Sequence, residues 1–175
     1  LRASSRGNTE DPSVIRIYWV EPPKVARTYR SCKHVAYLPN LCVNERQNSV
    51  VAALRFFNQI DFYDLKGTYQ RSFTYGKEPI VPLLKKNDTQ VDVLGTTKCF
   101  IDIFGTDQYV YCLYDGSADF SNLSTLLVLS WDGQLKKRLN FDRSIKRIAV
   151  DPSDRFLVAL ALDESGALDV VKYSI

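Results

Sequence analysis

The sequence contains one hairpin twice, and that repetition limits the available folds more than any other feature. IDFYDLKGTYQRSFTY (Ile60 to Tyr75) aligns without gaps on LLVLSWDGQLKKRLNF (Leu126 to Phe141). Ile60 falls on Leu126, Phe62 on Val128, Leu65 on Trp131, Gly67 on Gly133, Phe73 on Leu139 and Tyr75 on Phe141. In each copy a run rich in β-branched and aromatic residues meets a tight turn, Lys66-Gly67 or Asp132-Gly133, and a second run follows. Glycine supplies the positive φ that such turns require. A third copy opens at LDVVKYSI (Leu168 to Ile175), with Asp61 on Asp169 and Phe62 on Val170, and reaches only as far as the turn.

The stretches ahead of these hairpins repeat as well. IDIFGTDQYVYCLYD (Ile101 to Asp115) overlays IAVDPSDRFLVALALD (Ile148 to Asp163), so that Asp107 meets Asp154, Tyr109 meets Phe156 and Leu113 meets Leu160. A looser first copy runs from HVAY (His34 to Tyr37) through a longer loop to VVAALRF (Val50 to Phe56). Each repeat therefore reads as four short strands, a to d, in an antiparallel meander. The expected strands are 34–38, 49–56, 59–65 and 68–75; then 98–103, 108–115, 124–131 and 134–141; then 144–150, 155–162 and 166–173, with no fourth. Four strands per unit of about 40 to 50 residues is the pattern of β-propeller blades. A sandwich also has short, regularly spaced strands but gives no reason for one hairpin to recur. The expectation is an all-β chain built of propeller blades over 14–175: 32–75, 98–141 and 144–175, the last without its d strand, after a disordered lead at 1–13. Three blades make a partial or half propeller, because closed rings have about 4 to 8. The strand VIRIYWV (Val14 to Val20) fits either as the absent d strand of the third blade or as the last strand of a further blade.

Composition fits this reading and names no activity. The chain has 175 residues, 45% of them hydrophobic, enough for a real core in a single compact unit. A net charge of +3 is far from the bias of a nucleic-acid or polybasic membrane protein. No apolar run approaches the roughly 18 residues of a transmembrane helix. The first residue is Leu1 and methionine is absent, as expected of a cleaved chain or an excised piece. No nucleophile elbow, phosphate-binding loop, dinucleotide fingerprint or zinc-protease pattern occurs, so no catalytic residue and no cofactor are expected.

At NQIDFYDLKG, VLSWDGQLKKRLNFD and IKRIAVDPSDRFLVALALDESGALDVVKYSI the sequence resembles the TolB-like six-bladed propeller proteins of bacterial envelopes, and within them a C-terminal half. The resemblance covers roughly residues 32 to 175 and rests on blade-defining residues. It implies a propeller fold and a periplasmic or outer-surface protein, exported and in some members lipid-anchored. It implies binding of a protein or ligand, with no assigned activity and no site residue to carry over. A full member would need about twice this length on propeller proportions.

In such a meander the d-to-a and b-to-c connections emerge at one end of the blades and the a-to-b and c-to-d turns at the other. The longest connections, 76–97 and 116–123, fall at the same end, and long loops on a rigid scaffold concentrate binding residues. The candidate binding face is Tyr75, Lys77, Asn87, Asp88, Asp115, Ser117, Asp119 and Phe120. Its partner is a protein, or a small ligand or glycan. The alternative is a propeller enzyme acting on glycans as a hydrolase or lyase, with loop acids such as Asp115 and Asp119. A third reading completes the ring with a missing propeller half or a homodimer. Asp102, Arg147 and His34 are expected on innermost strands, lining a central channel. The basic run Lys136-Lys137-Arg138 is read as a charged guard on an edge strand, and no nucleic-acid partner is expected.

Four cysteines stand at 32, 42, 99 and 112, without a CxxC pair and beside a single histidine, a spacing unlike any zinc site. For a hairpin centred between Gly105 and Thr106, Cys99 and Cys112 face each other. The pair is expected either as a cross-strand disulfide, which would suit an oxidising compartment, or as two adjacent thiols.

Overall fold

The computed structural model describes residues 32–86, 89–122 and 124–175. The expected lead at 1–13 and the strand at Val14 to Val20 lie outside the described residues. After a single helical turn, α1 (Lys33–Ala36), eleven strands follow: β1 (Pro39–Asn44), β2 (Ser49–Leu54), β3 (Gln59–Tyr63), β4 (Tyr69–Thr74), β5 (Lys98–Gly105), β6 (Tyr109–Ser117), β7 (Thr125–Ser130), β8 (Leu135–Asn140), β9 (Ile145–Val150), β10 (Phe156–Leu162) and β11 (Leu168–Ser174). They form three antiparallel meanders, β1-β2-β3-β4, β5-β6-β7-β8 and β9-β10-β11. The chain is all-β and its sheets are arranged as propeller blades. The described residues form three such sheets and not a closed ring.

The repeat seen in the sequence is a structural repeat. Ile60 pairs with Phe73, and Leu126 with Leu139, at the positions the alignment equates. The c–d ladder shifts register after Phe62 in one sheet and after Val128 in the next, again equivalent positions. Gly67 and Gly133 close the same turn at φ 79° and 83°, each donating its N–H to the residue three before it, Asp64 at 2.9 Å and Ser130 at 2.8 Å.

Strand β7 explains how the sheets stack. Leu126 and Val128 point to a core shared with Ile145, Ile148, Leu157 and Ala159 of the third sheet. Leu127 and Leu129 point to a core shared with Val51, Ala53, Ile60 and Phe62 of the first. An unbroken apolar run is what a strand buried on both faces requires. The outer strands β4 and β8 are largely exposed, and Lys136, Lys137 and Arg138 sit on the β8 edge as a guarded edge demands. The innermost strands are adjacent, β5 lying between β1 and β9. Side chains knit them together: Asn40 donates to Phe100 O at 2.9 Å, Asp102 accepts from Ile148 N at 2.9 Å, and Arg147 donates to Ile101 O at 3.3 Å.

Two expectations are corrected. The first a strand is Pro39–Asn44, and the segment expected at 34–38 instead forms α1, with Cys32 and Ala36 buried against Leu54, Phe57 and Val91. His34 therefore lies on a helical turn and not on an inner strand. The β5–β6 hairpin also turns two residues later than expected. Cys112 opposes Ile103, not Cys99, and all four cysteines are free thiols. The cause is local. Thr106 Oγ1 accepts from Gln108 N at 3.3 Å and Tyr109 N at 3.1 Å, which places the turn at 106–109. Gly105 stays in the strand because the Trp131 ring lies on it: a Cβ there would stand 2.9 Å from the indole. Trp131 Nε1 donates to Thr106 O at 3.0 Å and locks the arrangement.

Two outcomes are expected. Gly105→Ala forces the indole off the strand and lowers stability by about 1–3 kcal/mol in urea unfolding. A loss below a few tenths would contradict this packing. Burial pushes the Cys99 thiol up to about 12, and the fully buried Cys112 well above its usual range. Their thiolate fraction at pH 8 is thus far below that of an exposed cysteine. Native protein should leave Cys99 and Cys112 unalkylated by iodoacetamide, whereas unfolded, unreduced protein should titrate four thiols.

Candidate functional site

The ends of the inner strands and the longer connections meet at one end of the molecule, and there Phe120 is surrounded by positive charge. Arg55, directly after β2, places its guanidinium carbon 5.8 Å from the ring centroid. Lys98, the first residue of β5, and Lys146, in β9, place Nζ at 5.7 Å and 5.1 Å. Each cation comes from a different sheet and Phe120 from the β6–β7 connection. An aromatic face attracts cations at this range, and desolvation strengthens the attraction. Phe120 itself has φ 61°, a backbone conformation that bulky residues rarely adopt. Its carbonyl accepts from Ser144 Oγ at 3.4 Å and from Lys146 Nζ at 3.5 Å, contacts that hold the loop against the third sheet.

The three cations differ in what else they do. Lys98 is 4% exposed, and its ammonium donates to Val93 O at 2.7 Å, to Leu94 O at 3.3 Å and to Ala118 O. It is the clasp that joins the β4–β5 connection to the β6–β7 connection. Lys146 donates to Ser144 Oγ at 2.9 Å. Arg55 is half-buried, and its guanidinium meets no hydrogen-bond acceptor among the described residues. None of the three has a carboxylate within ion-pair distance among the described residues.

The residues expected on this face divide into three groups. Asp115 and Ser117 end β6, and Asp119 and Phe120 lie on the β6–β7 connection that follows. Asp115 is 3% exposed; its Oδ1 accepts from Ser117 N at 2.8 Å and from the Ser117 hydroxyl, while its buried Oδ2 has no partner among the described residues. Asp119 is exposed and accepts from Ser121 N at 3.1 Å, and its hydrogen bonds to Ser121 hold its carboxyl below the usual range. Tyr75 is elsewhere, edge-on to Tyr114 at 4.8 Å between the first and second sheets, and Lys77 is exposed on the connection beyond it. Asn87 and Asp88 lie outside the described residues. Asp102 and Arg147 are on inner strands as expected, where each bridges neighbouring sheets.

Sequence reasoning pointed to the loop end of the strands and did not include the cations. Arg55, Lys98 and Lys146 lie far apart in the chain, and only the position each holds at the start of an a strand or the end of a b strand signalled a shared location. Among the described residues no set of three His, Cys, Asp or Glu side chains gathers as metal ligands. At the opposite end a cleft of about 110 Å³ opens between the second and third sheets, lined in part by Tyr109, Tyr111, Lys137 and Asp154. There Tyr111 OH donates to Asp154 Oδ1 at 2.8 Å and occupies half of that carboxylate.

No family model matches the chain, and no curated protein matches it. Fold and site together define a chain of propeller-type blades with a cationic, aromatic centre at its loop end. Among the described residues no helix is long and apolar enough to cross a membrane.

The clasp yields a direct expectation. Lys98→Met removes the ammonium that serves three loop carbonyls and should cost about 2–3 kcal/mol in chemical unfolding. Amide exchange around Leu94 to Thr96 should accelerate more than exchange in β7. Uniform acceleration would mean that Lys98 supports the core in general and not these loops.

Proposed function

We propose that the protein is a noncatalytic binding module of the bacterial cell envelope that engages a protein or ligand through the loop end of its blades. The observation that carries this reading is the convergence of Arg55, Lys98 and Lys146, from three separate sheets, on Phe120. Like charges at this spacing repel by about 1–2 kcal/mol per pair near a protein surface. A fold that gathers three around one ring at a loop end is organised for recognition. The location in the envelope, periplasmic or outer-surface, rests on the resemblance to TolB-like propellers. The cysteines do not contribute to it, because all four thiols are free.

The glycan-enzyme alternative gains little from the acids. Asp115 is buried and tied to Ser117, and the carboxyl of Asp119 is held low by its Ser121 hydrogen bonds. A general acid near neutral pH needs the opposite shift.

A photo-crosslinking residue at Asp119, compared with one at Lys66 in the turns of the far end, tests the reading in envelope extract. Discrete adducts from position 119 and none from 66 are expected. Adducts from 66 alone, or glycan turnover abolished by Asp115→Asn, would replace it.

A further inference from the structure

We infer that the ligand of this face presents an oxyanion, a carboxylate or phosphate group, to Arg55 and Lys146 beside Phe120. This inference rests on the binding reading above and names the chemistry of the site.

The argument is one of unspent donors. Lys98 has its ammonium fully engaged by three carbonyls, so it contributes field and not a free hydrogen bond. Lys146 has three donors and uses them on one hydroxyl and a long contact to Phe120 O. Arg55 has five N–H donors in a fixed fork and no acceptor for any of them among the described residues. An arginine that is half-buried and meets no acceptor among the described residues has donors to spare. A planar oxyanion satisfies them, because the fork matches it bidentately. The cations also lie close together. All three are within 6 Å of one ring centroid, so no two are farther apart than twice that distance. An anion between them converts mutual repulsion into attraction.

The acids nearby do not fill this role. Asp115 is buried with Ser117, Asp119 accepts from Ser121 through Oδ1, and neither makes an ion pair with any of the three among the described residues. A cationic ligand is disfavoured because the Phe120 ring already carries three cations. A nucleic acid is disfavoured because, among the described residues, neither a basic groove nor interleaved exposed aromatics accompany the cluster.

The test is a titration of the ¹⁵N-labelled chain with inorganic phosphate and, separately, with D-glucuronate, at ionic strength matched by chloride. Saturable shifts at the amides of Arg55, Asp119 to Ser121 and Lys146 are expected from at least one anion. The better binder distinguishes a phosphoryl-bearing ligand from a uronate-bearing one. Arg55→Gln and Lys146→Gln should each weaken binding about tenfold, while Lys137→Gln, at the far end, should leave it unchanged. The same spectra report that the variants are folded. An absence of saturable shifts at tens-of-millimolar anion, or equal binding by the Gln variants, overturns the inference. Crosslinks from position 119 alongside such a result would leave the binding face standing and remove only its ligand class.

Discussion

The architecture depends on the two-sided burial of the second sheet. In β7, Leu126, Leu127 and Leu129 are fully buried and Val128 nearly so, with alternate side chains serving cores on opposite faces. One sheet thus supplies the floor of one core and the roof of the next. At roughly 25 cal/mol per Å² of apolar area removed from water, such shared burial is the dominant favourable contribution in a stack of short strands. The hydrogen bonds between inner strands set the relative placement of sheets that the cores hold together. Asn40 to Phe100 O and Asp102 to Ile148 N make the same kind of link at successive junctions.

That stacking also creates the candidate site. The sheets converge along β1, β5 and β9, so residues at the ends of inner strands approach one another although they are remote in sequence. Arg55, Lys98 and Lys146 become neighbours by this route, and the β6–β7 connection brings Phe120 among them. The site belongs to the junction of three units and to no single one, and so no local motif marks it.

Much of the fold was legible because the hairpin repeats carry their own punctuation. Gly67 and Gly133 hold the left-handed positions their turns require, and the unbroken apolar run of β7 announced a strand covered on both sides. Two places misled for physical reasons. HVAY has the apolar spacing of a short strand, but packing of Ala36 and Cys32 under Phe57 and Val91 rewards a helical turn there. Gly105 resembles a turn glycine, yet its missing side chain serves contact with Trp131, and the hydroxyl of Thr106 builds the turn instead. A two-residue displacement was enough to separate Cys99 from Cys112, because register is counted from the turn.

The third sheet is held differently from the other two. Among the described residues it shares a core on one side only and its outer strand β11 pairs only with β10, and Leu168 and Val170, at the positions where Ile60 and Phe62 are buried in the first sheet, are 62% and 70% exposed. In a linear stack each unit's persistence is the sum of its own folding and its contacts with adjacent units. Among the described residues β11 is accordingly the strand held by the fewest neighbours, and the central sheet is the one held by the most.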